Sequence, residues 1–179
     1  MKPDEIILLY EYNYWADRLI LNATGKVSAK QYAAPSNFGN GYVSLRATLV
    51  HMLDNIWQWR ITCQGFYKTL LTEEEYDATE LREAQFPELK DLEDRWLTEQ
   101  QELRSYIGTL NDAQLNGILR YVFPGGALRE RTVWHILFDA FNHGTQHRSE
   151  AAAILTSYGQ SPGDFDFTLF LNEHYKLPL

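Results

Sequence analysis

The chain carries five histidines, His51, His135, His143, His147 and His174. His143 and His147 are four apart, so on a helix their imidazoles lie one turn apart on one face. Two imidazoles at that spacing can chelate one ion. A third from another helix completes a facial set with open positions, and His51 is the natural third ligand. Taken alone, a His pair at this spacing more often flanks a core than binds a metal. His135 lies two turns from His143, too far to share its ion, and together with His174 is read as structural or surface. Three carboxylates stand close in sequence. Asp54 follows His51 by three, Asp139 precedes His143 by four, and Glu150 follows His147 by three. Each is placed to orient an imidazole or to accept a proton. Asp54 is favoured as the proton acceptor, because its spacing puts it on the same side as His51.

Other chemistries are missing their parts. The metalloprotease pattern needs a glutamate directly after the first histidine of the pair, where this chain has Gly144. No Glu-x-x-His pair of the carboxylate di-iron type lies within the helical segments. Cys63, twelve residues from His51, would sit roughly 18 Å away along a helix, too far for a Cys–His nucleophile pair. As the sole cysteine it also excludes an internal disulfide and a cysteine-based zinc site. Gly39-Asn40-Gly41 lacks the lysine of a phosphate-binding loop and reads as a turn. With no serine, cysteine or lysine nucleophile beside a base, the expected nucleophile is a water or thiol activated by the ion.

Four segments have the periodicity needed to position these groups. They span residues 4–24, 44–64, 87–107 and 132–158, with apolar residues at spacings of three and four. Ser44 is a candidate N-cap, and Gly25 and Gly65 are candidate stops. The 26–43 stretch reads as loop. The acidic 66–86 stretch is long enough to cross a bundle. Residues 118–122 are β-prone and precede Pro124-Gly125-Gly126, which predicts a short hairpin before the fourth helix. The expectation is an all-α, single-domain protein over 1–179: a four-helix bundle with a long crossover between its second and third helices. His143 and His147 share a face with Ile136, Ala140, Ala151 and Ile154, a half-buried setting. His51 lies about 120° from the centre of its helix's apolar stripe, on a side with Ala47, Asp54 and Gln58, which places it at a cleft edge. Trp57 and aromatic residues of the first helix are expected to edge that cleft and admit a small electrophile.

Composition narrows the partners. Lys and Arg number 16 against 24 Asp and Glu, a net charge of −8, which argues against nucleic acid or an anionic membrane as partner. No apolar run approaches the roughly 20 residues of a membrane span, and the acidic start does not suit a secretion signal. A cytoplasmic protein is expected. Trp134, Phe138 and Phe141 form a second apolar face on the fourth helix, and 165–171 is an apolar tail. Together they predict a homodimer, unless the tail covers that face within one molecule.

Three segments together resemble the DinB-like family: Tyr12-Asn13-Tyr14-Trp15-Ala16, Leu49-Val50-His51-Met52-Leu53-Asp54 and Asn142-His143-Gly144-Thr145-Gln146-His147-Arg148. The resemblance spans nearly the whole chain. It implies an up-down-down-up bundle and a divalent nickel, zinc or iron ion held by His51, His143 and His147. It also implies dimers and a kinship with transferases and isomerases that use a low-molecular-weight thiol such as bacillithiol or mycothiol. Two functions follow as expectations: a metal-dependent hydrolase or thiol S-transferase acting on a small molecule, or a non-catalytic, metal-stabilised stress-response or interaction protein.

Overall fold

The computed structural model describes residues 1–38, 44–69, 71–122 and 126–174. These residues are mostly helical, with one two-stranded antiparallel sheet. The helices are α1 (Pro3–Thr24), α2 (Ala29–Ala33), α3 (Leu45–Cys63), α4 (Glu73–Asp77), α5 (Leu89–Gly108), α6 (Asp112–Leu115), α7 (Val133–Ser157) and α8 (Phe167–His174); strands β1 (Ile118–Val122) and β2 (Leu128–Thr132) lie between α6 and α7.

The ends of the long helices follow local chemistry. Pro3 opens α1, where its missing N–H costs nothing, and the Lys2 N–H donates to the Glu5 carboxylate at 2.8 Å. Ser44 caps α3 by accepting the Ala47 N–H at 2.9 Å. Just past the end of α3, Gly65 takes φ +88°, a left-handed conformation that glycine adopts without a Cβ penalty. The hairpin forms in the expected place, with Tyr121 opposite Arg129 and Leu119 opposite Arg131. Pro124 and Gly125 of its expected turn, and Gly39-Asn40-Gly41, lie outside the described residues.

Two expected loops contain helix. Within 26–43, Ser28 and Gln31 cap each other to start α2: the Gln31 N–H donates to Ser28 Oγ and the Ser28 N–H to Gln31 Oε1. Within 66–86, Thr72 and Glu75 do the same for α4. Both are Ser/Thr-x-x-Gln/Glu capping boxes, a signal of a helix start even when the helix is one turn long.

Helix α7 packs against both α1 and α3, and α5 packs against the same two. The Tyr10 hydroxyl donates to the Leu137 carbonyl and Arg148 pairs with Asp17, so α1 and α7 advance together. Leu49 shares a core with Ile154 and Ile56 with Ile136, so α3 runs against α7. Arg60 pairs with Glu99 and the Tyr106 hydroxyl donates to the Cys63 carbonyl, so α3 and α5 advance together. One core gathers Leu45, Leu49, Leu53, Trp96 and Ile154; a second gathers Ile6, Tyr10, Ile56, Ile107 and Leu137.

The apolar tail is partly helix, as α8, and folds onto the molecule. Phe167 meets Tyr12 edge-on at 5.2 Å, Phe170 lies 5.6 Å from Trp15, and the Tyr12 hydroxyl donates to the Phe165 carbonyl. This cluster also covers Phe141, while Phe138 keeps 41% of its surface exposed. The tail therefore takes up part of the apolar surface expected to lie at a dimer contact. No described helix is long and apolar enough to cross a membrane.

Candidate metal centre

His143 and His147 occupy successive turns of α7, and His51 faces them from α3. One ligand atom from each lies within 4.8 Å of the other two. The Nε2 atoms of His51 and His143 are 2.8 Å apart, and the His147 ring centre lies 4.7 Å from that of His51 and 4.4 Å from that of His143. Nitrogens each about 2.1 Å from one tetrahedral ion stand roughly 3.4 Å apart, so this spacing needs only small side-chain adjustments to hold an ion. Imidazole suits zinc, nickel and iron alike. Among the described residues, no other group of three histidine, cysteine or carboxylate side chains gathers in this way.

The surroundings prepare the rings as ligands. Burial and the two neighbouring imidazoles push the His51 pKa down to about 4, and burial with His147 lowers that of His143. Both rings are therefore held neutral, the form that binds metal. His147 is 2% exposed, and its Nδ1 lies 2.6 Å from Glu150 Oε2. An Nδ1–H donating to that carboxylate fixes Nε2 as the ligating nitrogen and orients the ring. Of the three carboxylates weighed from sequence, Glu150 is in direct contact with a ligand histidine.

Asp54 is half-buried on the His51 side of α3. Its Oδ1 accepts the Leu81 N–H at 2.9 Å, and burial raises its pKa. Asp54 and His51 line one cavity of about 170 Å³, with Gln58, Trp59, Tyr67 and Tyr121 among its walls. The side of α3 bearing Ala47, His51, Asp54 and Gln58 thus faces clefts, which accounts for its offset from the apolar stripe. Trp57 does not line this cavity; it lies under the Arg95 guanidinium, and Trp59 with three tyrosines supplies the aromatic wall instead. Asp139 is exposed and borders a neighbouring cavity, as does His135, while His174 packs beside Trp15 and Phe170.

The sequence reading did not anticipate a buried charge cluster behind the histidines. Arg148 and Asp17 are fully buried and paired at 2.9 Å; Arg148 also donates to Asn13 and, at 2.8 Å, to Thr145. This explains Gly144, because a Cβ there would stand 3.3 Å from the Arg148 guanidinium and 3.5 Å from the Asn13 carbonyl oxygen. The available signal was the polar pair Asn13 and Asp17, four apart and so on one face of the helix. The cluster ties α1 to α7 at Arg148, the residue after His147, and Arg148 in turn bonds Thr145 in the turn between the two ligands.

A model of the DinB family matches residues 1–176. The Protein DinB of Bacillus subtilis (strain 168) is 28% identical over 175 residues, covering 94% of this chain and 95% of that protein. The residues that cluster here, from Asn13 and His51 to the His143–Arg148 run, are the ones that carried the resemblance in the sequence. The chain belongs to the DinB family.

Proposed function

We propose that this protein is a metal-dependent enzyme, a hydrolase or a thiol-dependent S-transferase, acting on a small electrophile. The observation that carries this reading is a cluster of three histidines, of which His51 lines a cavity and His147 is backed by a carboxylate. A divalent nickel, zinc or iron ion held there supplies Lewis acidity and lowers the pKa of a water or thiol that it contacts. Among the described residues three ligands gather, one fewer than the four that close a structural zinc site, which favours catalysis over a purely stabilising role. His147 keeps its tautomer through Glu150. Asp54, with a pKa raised by burial, takes up the proton at its carboxylate, and the Leu81 N–H holds that carboxylate in place. Trp59 and Tyr121 provide an apolar wall for the substrate.

We read the four long helices as one up-down-down-up bundle spanning 1–179, supported by the sense in which α1, α3, α5 and α7 run past one another. A homodimer is part of the proposal, supported by exposed Phe138. The testing experiment is elemental analysis of untagged protein, followed by hydrolysis and thiol-conjugation assays across a panel of electrophiles. We expect one divalent ion per chain and activity in one assay. Asp54→Asn should keep the metal and lose turnover by roughly 10²–10⁴-fold. A metal-loaded protein inactive throughout the panel, with a fourth protein ligand on the ion, supports the non-catalytic, metal-stabilised role instead.

A further inference from the structure

The sheet carries charge that the histidine cluster does not account for. Arg129 and Arg131 alternate with Glu130 along β2, so they share one face of the hairpin while Glu130 pairs with Arg120 on the other. Among the described residues, neither Arg129 nor Arg131 forms an ion pair; Arg131 donates only to the Glu130 carbonyl. Two unpaired guanidinium groups side by side are unexpected in a chain of net charge −8. Like charges so placed repel one another unless an anion lies between them.

Their location gives them a use. Arg129 and Arg131 border a cavity of about 570 Å³ together with His135 and Asp139. That cavity shares Trp59 and Tyr121 with the smaller one that His51 and Asp54 line. The two rings meet edge-to-face at 5.9 Å. The register places Tyr121 directly opposite Arg129. Both guanidinium groups also act on Tyr121 electrostatically, favouring its ionised form against the effect of burial. Among the described residues Asp139 is the one carboxylate lining this cavity, so the two arginines leave a net positive charge there.

We propose that Arg129 and Arg131 bind an oxyanion, a carboxylate or phosphate group, at one end of a small molecule. Its apolar middle lies along Trp59 and Tyr121, and its other end reaches the histidine cluster. Arginine suits this task because its planar fork meets two oxygens of a carboxylate or phosphate at once. The substrate class is therefore an anionic molecule with an apolar segment, rather than a neutral or cationic one. The proposal rests on the histidine cluster being the reacting end, and its test keeps the two apart.

The test is calorimetric titration of metal-free protein with 3-phenylpropionate, phenyl phosphate and the neutral 3-phenylpropionamide. We expect one or both anions to bind about ten-fold more tightly than the amide, the preference falling as salt rises. Which anion binds better identifies the group recognised. The Arg129→Gln, Arg131→Gln double variant changes only exposed side chains, so its thermal midpoint should not move. It should remove the preference and leave amide binding unchanged. Equal affinity for anion and amide, no measurable anion binding at millimolar concentration, or a preference that survives the double variant each overturns the proposal. A preference seen only after metal is added overturns it too, because the oxyanion is then bound by the ion. Loss of the metal-centre reading, by contrast, would leave the metal-free titration unchanged.

Discussion

His147 is the most constrained ligand of the cluster: it is buried, and its Nδ1 is committed to Glu150. Glu150→Gln keeps the size of the partner but removes the charge that holds the ring in place. We expect metal affinity to fall by about 10–100-fold, read by competition with a chromogenic chelator, with little change in far-UV circular dichroism. Cys63 illustrates the opposite case, a group whose surroundings silence it. Burial pushes its thiol from the ordinary 9.0 up to about 12. At pH 8 it is almost wholly protonated, so disulfide reagents should label it only as fast as the protein opens. The sign of the linked stability follows. Folding keeps the thiol protonated, so the contribution is full below pH 9 and is lost as pH rises towards 12. Tyr32, raised to about 12 by burial, adds to the same alkaline loss. A urea-unfolding series from pH 8 to pH 11 checks the slope, and stability that rises across that range would contradict it.

At the scale of the element, the junction of α1 and α7 holds the ligand pair in place. Arg148 and Asp17 are each removed from water, and Asn13 accepts from one and donates to the other. Replacing Arg148 with alanine leaves the Asp17 carboxylate buried without its partner. We expect a loss of about 3–5 kcal/mol in urea unfolding, more than a cavity of that size alone would explain if Asp17→Asn in the same background recovers part of it. Gly144→Ala tests the close approach from the other side. Alanine gains up to about 1 kcal/mol of helix propensity at an ordinary position. Here its Cβ meets an arginine pinned by three partners, so we expect net destabilisation by about 1 kcal/mol and weaker metal binding. Both readouts belong to one variant, because the ligands on either side of Gly144 move with the turn.

At the scale of the whole molecule, the tail shields an aromatic face. The tail and α8 cover Tyr12, Trp15 and Phe141, so removing residues 165–179 uncovers a contiguous aromatic surface. We expect the shortened chain to self-associate and to unfold at lower temperature, measured by light scattering and calorimetry. The full chain is expected to run as a discrete dimer. A monomeric mass at micromolar concentration would show that folding back of the tail has already satisfied the apolar surface that motivated the dimer.

Much of this arrangement was legible in the order of residues. The four long helices end within two residues of their expected limits, because apolar periodicity, Ser44 and Gly65 are local signals whose energetics do not depend on distant partners. The hairpin was legible for the same reason. The pair His143 and His147 follows from helix geometry alone. The role of His51 does not, since it stands off its own stripe; only the antiparallel passage of α3 across α7 turns that offset into a ring facing two others. The small helices were missed because one turn has too few residues to show a period, although their capping boxes were present. The partnership of Arg148 with Asp17, the choice of Trp59 over Trp57 as a cavity wall, and the neighbouring pair Arg129 and Arg131 also required the folded chain. Each depends on which residues from separate elements share a space from which water is excluded, and local sequence carries no term for that.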